Sequence, residues 1–345
     1  MNDPLSIHII MIVVVALLGF ITSWCGIRYL IDYLIRNDIV DRPNDRSMHK
    51  GEVPRGGGLV IVAIIIITLL GLAATTSRPT FFLALMACVF SWALLSWCDD
   101  KLDLSPKLRF IVQGVIGVFS VAMFGWVGSF LRVELLWAGP ILTVIGIVWM
   151  ANLYNFMDGM DGLACSQAIV GSLTLGGWFL YLGDHELAIL CGAIASSSYG
   201  FLLWNWQPAK IFMGDVGSIT LGGVFATLIV IAENRHNIPI LSLILVFSVF
   251  VSDATFTILN RVRKGEPFWL PHRSHFYQRA GLAGLEHSKV VFVAIILMVL
   301  CALIATLSIL YRDIIALLVI SVLALLMLAA CLVKRQERGA DAKEL

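Results

Sequence analysis

Residues 152–162 read NLYNFMDGMDG, set between two long apolar runs. Asn152, Asn155 and Asp158 are spaced i, i+3, i+6, so in a continuing helix they share one face. Gly159 and Gly162 would then let the backbone bend and approach a ligand closely. The ordinary reading is a DG turn with capping asparagines. Two carboxylates beside apolar runs, however, are costly unless paired or metal-bound. A second acidic group is SWCDDKLDLSPK at 96–107, where Asp99, Asp100 and Asp103 fall within one helical turn. Either this is a solvated helix end with Lys101 and Lys107 as counter-charges, or the carboxylates meet a hard divalent cation such as Mg²⁺, which takes oxygen ligands and bridges them to phosphate. The third is NWQPAKIFMGDVGS at 205–218. Asp215, bracketed by Gly214 and Gly217, suits a tight loop near a metal and a diphosphate, or simply caps a turn. Phe212 offers a flat face for a nucleobase.

Two basic segments accompany these. DRPNDRSMHKGEVPRGGGL at 41–59 supplies Arg42, Arg46, His49, Lys50 and Arg55 ahead of three glycines. RVRKGEPFWLPHRSHFYQRAG at 261–281 supplies His272, Arg273, His275 and Arg279 among aromatic residues. Attraction to lipid headgroups accounts for Arg261, Arg263 and Lys264, but poorly for the spaced HRSHFYQR. The glycines at 56–58 run into an apolar stretch and read as a close-packing or flexible segment. No GxGxxG or Walker pattern is present.

The elements that must hold these groups are membrane helices. The chain has 345 residues, 59% hydrophobic and 14% charged, with a mean hydropathy of +0.91. Soluble domains carry about 25% charged residues. About 20 apolar residues cross a bilayer as a helix, which gives eleven spans, at roughly 5–27, 58–76, 80–98, 108–127, 135–154, 163–182, 187–204, 217–232, 238–258, 289–310 and 314–333. The predicted fold class is therefore all-α, a polytopic integral membrane protein forming a single membrane-embedded domain over 1–345, with a tail at 334–345. Of the 24 Lys and Arg residues, 20 fall on one set of connections and 4 on the other. The positive-inside rule then puts the N-terminus outside and the C-terminus in the cytoplasm, with the loops at 37–57, 99–107, 155–162, 205–216 and 259–288 cytoplasmic. The start reads as a retained span, not a signal peptide, for want of a basic n-region and a cleavage site. The seven cysteines form no CxxC and lie in or beside apolar runs, so neither disulfides nor zinc are expected. A net charge of +1 suggests no nucleic-acid partner.

DRPNDRSMHKGEVPRGGG, DDKLD, NLYNFMDGMDGLA and IFMGDVGS, in this order, resemble the polyprenyl-phosphate N-acetylhexosamine-1-phosphate transferases, the superfamily that also contains the phospho-MurNAc-pentapeptide translocase. The resemblance runs from about residue 38 to 280. Eleven spans with an external N-terminus are more similar to the initiators of O-antigen and teichoic-acid chains than to the ten-span translocase. PHRSHFYQR departs from the adjacent histidines of the translocase and resembles the subgroup that starts O-antigen or outer-core chains. The resemblance implies transfer of HexNAc-1-phosphate (GlcNAc, GalNAc or a 6-deoxy-HexNAc) from a UDP-sugar to undecaprenyl phosphate in the bacterial inner membrane, with release of UMP. It implies Mg²⁺, or Mn²⁺ in its place, at Asp215, Asn155 and Asp100. Asn152, Asn155, Asp158, Asp161 and Phe212 would hold the nucleotide side, with Lys50, Arg55, Arg273 and Arg279 on phosphates. Asp99, Asp100, His272 and His275 would be catalytic. A homodimer is a further expectation.

A phosphate monoester has a second pKa near 6, so the acceptor is largely deprotonated at neutral pH. Direct attack on the β-phosphate is therefore expected rather than a covalent aspartyl phosphate. Two other classes stay open. An intramembrane prenyltransferase would also place DDxxD and Mg²⁺ at helix mouths, but on two corresponding loops. A secondary transporter would carry midplane charges and paired broken helices, whereas the span interiors here read as nearly charge-free.

Overall fold

The computed structural model describes residues 4–41, 51–130, 133–267 and 272–344. Lys50, Arg42, Arg46 and His49, and the aromatic pair Phe268 and Trp269, lie outside the described residues. The described chain is helical apart from two small antiparallel ribbons, β1 (Val40–Asp41) with β2 (Val53–Pro54) and β3 (Ser129–Phe130) with β4 (Val133–Glu134). The helices are α1 (Pro4–Arg36), α2 (Gly58–Thr75), α3 (Pro79–Leu102), α4 (Pro106–Phe124), α5 (Ala138–Phe156), α6 (Leu163–Tyr181), α7 (His185–Asn205), α8 (Asp215–His236), α9 (Ile240–Val246), α10 (Ser248–Arg263), α11 (Phe276–Leu282), α12 (His287–Leu310) and α13 (Ile315–Glu344). Ten of these are long and apolar enough to cross a membrane. The protein is multi-pass, and the apolar side chains of α1 and α13 face outward, as in Leu17 and Ile320. Helix α13 runs unbroken to Glu344, so the expected tail extends the last span.

The ninth span departs from expectation. Residues 238–258 do not form one helix; α9 and α10 meet at an angle of 86°. No Pro or Gly lies at the break, which is why the sequence gives no sign of it. The carbonyls freed there are taken by side chains instead. Ser248 Oγ donates to Leu245 O at 2.7 Å, and buried Gln167 Nε2 on α6 donates to Val246 O at 3.2 Å. Side chains that satisfy the interrupted ladder are a recognised cause of kinks.

Helix α8 is the centre of the bundle, with 89% of its apolar stretch buried. Between helices in lipid there is little hydrophobic driving force, so association depends on close packing at small residues. Gly222 faces α5, where an added Cβ would lie 2.7 Å from Ala151 Cα. Gly223 faces α3, where a Cβ would lie 2.5 Å from the Trp92 indole nitrogen. Gly217 meets α2, for a Cβ on Gly58 would sit 2.3 Å from Gly217 Cα. Gly58, the last of the three consecutive glycines, thus packs helix against helix.

The two ends of the bundle are fastened differently. At one end, Arg78 forms a fork on buried Asp184 (3.2 and 2.7 Å) and reaches Glu186 at 2.7 Å. His236 Nε2 lies 3.1 Å from the same carboxylate. Burial alone would raise the Asp184 carboxyl, but Arg78, His236 and Arg235 together hold it below the ordinary range. The other end carries the acidic loops.

Gly58→Ala inserts a methyl between two backbones and should destabilise the protein by about 1–3 kcal/mol. Gly71, also on α2, has nothing within 4 Å of a built Cβ, and Gly71→Ala should be neutral or slightly stabilising. Thermal unfolding of both variants in detergent checks the difference.

Candidate active site

Four loops and three helix ends converge at the acidic end. Backbone hydrogen bonds lace the segment after β2 to the loop before α8. Phe212 N donates to Pro54 O at 2.8 Å, Gly57 N to Phe212 O at 2.9 Å and Gly58 N to Met213 O at 2.9 Å. This zipper sets Arg55 against the first residue of α8. Arg55 Nη2 lies 2.5 Å from Asp215 Oδ1 and 3.9 Å from Asp100 Oδ1. Burial opposes the guanidinium charge, but Asp215, Asp100 and Asp41 outweigh it and raise its pKa. Asp215 also stands at the positive end of the α8 dipole. One turn on, Ser218 Oγ donates to Asn155 Oδ1 at 2.8 Å, tying the end of α5 to the start of α8.

The predicted site residues divide on this framework. Asp100 turns toward Arg55 and Asp215. Asp99, its neighbour, points elsewhere and pairs with Arg109 on α4 at 2.8 Å. Asn152 is tied to Gln113 on α4 and to Val148 O, both at 2.7 Å. The expected shared face of Asn152, Asn155 and Asp158 does not extend that far, because α5 ends at Phe156 and Asp158 lies in the following loop. Burial pushes the half-buried Asp158 carboxyl well above the usual range; Asp215 and Asp161 add to this, and Arg55 opposes it. Asp161 accepts from Ala209 N at 3.0 Å, which joins the 157–162 and 206–214 loops.

The segment at 272–279 folds onto the same loops. Tyr277 Oη donates to Phe156 O at 2.9 Å, and Gly159 is in such tight contact with that hydroxyl that no Cβ fits. The His272 ring stacks on His275 at 4.9 Å, and its Nδ1 lies 2.8 Å from Ser274 Oγ. Burial, then the like charges of His275 and Arg261, lower His272 to about 4, against the pull of Asp253. Arg279 is committed to Glu337 of α13 by two bonds, at 2.7 and 2.5 Å. It is not an open phosphate donor in this conformation. Arg273 is half-buried within the same segment and has contacts of its own. Arg261, which lipid attraction alone seemed to explain, holds Glu266 at 2.8 Å and Pro267 O at 3.0 Å.

Three residues escaped the sequence reading. Asn205, buried at the end of α7, accepts from Gly162 N (2.9 Å) and Cys165 Sγ (3.1 Å) and donates to Ile211 O (2.9 Å). An asparagine closing an apolar run was the available signal. Gln113 holds Asn152, and Asp253, on α10, lies within the stretch expected as the ninth span, whose interior was expected to be nearly charge-free. An aspartate inside a predicted span is itself a functional marker.

The chain matches the family model "Glycosyl transferase family 4" over residues 81–233, the stretch that carries Asp99, Asp100, the 152–162 loop and Asp215. It is 32% identical over 302 residues, 85% of this chain and 83% of the relative, to a probable undecaprenyl-phosphate N-acetylglucosaminyl 1-phosphate transferase of Bacillus subtilis. The chain belongs to the polyprenyl-phosphate N-acetylhexosamine-1-phosphate transferase superfamily. Two more distant members of that superfamily are also similar. One is an undecaprenyl-phosphate alpha-N-acetylglucosaminyl 1-phosphate transferase of Yersinia pestis, 29% identical over 76% of this chain and 74% of the relative. The other is a phospho-N-acetylmuramoyl-pentapeptide-transferase of Fusobacterium nucleatum, 29% identical over 80% of this chain and 87% of the relative.

The Asp158 shift has a consequence for stability. A carboxyl whose folded pKa is raised costs folding free energy at every pH where the unfolded chain would ionise it, above about 4. Asp158→Asn removes that cost. In EDTA and without donor, the variant should unfold at a higher temperature than the parent at pH 7, and the difference should vanish as pH falls to about 4. Calorimetry at the two pH values measures it.

Proposed function

We propose that this chain transfers HexNAc-1-phosphate from a UDP-sugar to undecaprenyl phosphate, releasing UMP and starting a lipid-linked glycan of the O-antigen or outer-core kind. The observation that carries the reading is the meeting of Asp100, Asp215 and Arg55, with Asn155 one hydrogen bond away through Ser218. Superfamily membership supports the reaction class. The HRSHFYQR segment, which lacks adjacent histidines, supports the choice of polymer.

The donor chemistry fits a hard cation. Among the described residues no three His, Cys, Asp or Glu side chains form a metal cluster. Two carboxylates and an amide oxygen are, however, the kind of partial set on which Mg²⁺ arrives with substrate phosphates. Asp215, Asp100 and Asn155 would hold it. When bound, it would neutralise charge on the diphosphate.

Positioning and charge screening supply most of the catalysis in phosphoryl transfer. Arg55 is placed to exchange Asp215 for a substrate phosphate. Asp158 and Asp161 flank the nucleotide side, and Phe212, held by its backbone to Pro54, offers a ring to the base. His272, kept neutral by its burial, is suited to accept a hydrogen bond. The acceptor phosphate needs little deprotonation, so direct attack on the β-phosphate is favoured, with Asp100 rather than Asp99 orienting it. The charge bias of the loops supports a site at the cytoplasmic face of the inner membrane.

Purified protein with undecaprenyl phosphate, Mg²⁺ and a panel of UDP-sugars should release UMP with at least one HexNAc donor; none with any donor overturns the reading. Asp215→Asn should abolish release while the protein still inserts and folds. Near-normal turnover at saturating Mg²⁺ removes Asp215 from the metal set. Single cysteines replacing Asp100, Asp158 or His272 in a cysteine-free background should resist an impermeant thiol reagent in intact cells. Labelling of any one from outside reverses the topology.

A further inference from the structure

The 272–279 segment is folded around one buried carboxylate on a different helix. Asp253, 8% exposed, lies on α10 just past the break in the ninth span. Its Oδ1 accepts from His275 Nδ1 at 3.1 Å, from Phe276 N at 3.0 Å and from Thr257 Oγ1 at 3.3 Å. Its Oδ2 accepts from Tyr277 N at 3.2 Å. Had α9 continued straight, this carboxylate would lie in a span interior. The 86° turn brings it to the loops instead.

The geometry has a chemical consequence for His275. A neutral imidazole has one N–H and one lone pair. Nδ1 faces a carboxylate oxygen, so Nδ1 carries the hydrogen and Nε2 is left as the basic nitrogen. The ring, 2% exposed, is confined by His272 at 4.9 Å, Tyr277 at 5.8 Å and Phe156 at 6.1 Å between centroids. Phe156 directly follows Asn155, and Tyr277 is bonded to its carbonyl, so the ring is held against the loop that carries the acidic residues.

We propose that Asp253 is a positioning residue: it fixes the tautomer and orientation of His275 so that Nε2 is the ring atom presented to the phosphate-bearing substrates. This rests on the transfer reaction proposed above. When Nε2 takes up a proton, the Asp253 carboxylate balances the charge on the ring. The Nε2–H can then donate to a phosphate oxygen whose charge grows as the bond to UMP breaks. An orienting carboxylate behind a histidine plays the same part in hydrolase triads. Phe276 N and Tyr277 N bond to different oxygens of Asp253, so an amide keeps an acceptor for only one of them, and the readout that a carboxylate needed only to hold α11 would not move is the tautomer of the His275 ring.

Asp253→Asn, read per folded molecule and together with the ring tautomer, separates these roles. Expected is a fall in kcat for UMP release of about 100-fold, the size of a general acid–base contribution, with KM for the UDP-sugar and undecaprenyl phosphate little changed. ¹⁵N spectra of histidine-labelled protein, with the His275 signals assigned through His275→Gln, should show protonated Nδ1 in the parent and Nε2-protonated ring in Asp253→Asn. A variant that keeps its kcat per folded molecule overturns the proposal. So does a parent ring whose Nδ1 is bare above pH 8, and that measurement stands even where Asp253→Asn fails to fold. Absence of UMP release from the parent instead overturns the reaction, and the ring measurement distinguishes the two failures.

Discussion

The contact on which the acidic end depends is the approach of two backbones, Gly58 at the start of α2 and Gly217 in the first turn of α8. Neither glycine can carry a Cβ there. Because they touch, the segment at 54–58 can exchange backbone hydrogen bonds with 212–213, and because that zipper closes, Arg55 reaches Asp215. Helix α8 repeats the device along its length, with Gly222 against α5 and Gly223 against α3. In a membrane this kind of packing replaces the hydrophobic effect as the source of helix association. The same small residues that hold the bundle together therefore aim its carboxylates.

What is aimed is a set of charges in mutual conflict. Asp100, Asp158 and Asp215 repel one another, and Arg55 is the cation that acts on all three. Burial is the main cause of the raised Asp158 pKa, and repulsion from Asp215 adds to it against the pull of Arg55. Contrast the opposite end, where Asp184 is met by Arg78, Arg235 and His236, which hold its carboxyl below the ordinary range against its burial. The two ends use the same residue types to opposite effect. One is satisfied and fastens the helices; at the other, among the described residues, three carboxylates share the Arg55 guanidinium.

Much of this was legible in the sequence, and the reason differs by residue. The spans follow from apolar length, which the bilayer enforces strictly. Asp100, Asp158 and Asp215 stood out because carboxylates at helix mouths are costly. The split between Asp99 and Asp100 was not legible: adjacent helical residues point about 100° apart, and only the position of Arg109 on α4 decides which of them faces inward. Asn152 was assigned to the site by its spacing, but spacing carries no information on Gln113, which binds it. Arg279 looked free because Glu337 lies 58 residues away. The break between α9 and α10 left no trace because it is made without Pro or Gly, through carbonyls taken by Ser248 and Gln167.

That break explains how Asp253 can exist in an otherwise apolar run. A carboxylate in the hydrocarbon core is expensive on any scale, and an unpaired buried charge is more so. At the start of α10 the chain changes direction, and within two turns of it Asp253 meets four donors, two of them backbone N–H groups of α11. Those groups would lack partners at a helix start in any case, so the carboxylate and the short helix each solve the other's deficit. Gln167 stabilises the kink, the kink delivers Asp253, and Asp253 organises His275 and α11 against the Asn155–Asp158 loop. Gln167 on α6 is therefore tied to the histidine segment through the backbone of the ninth span, by its bond to Val246 O.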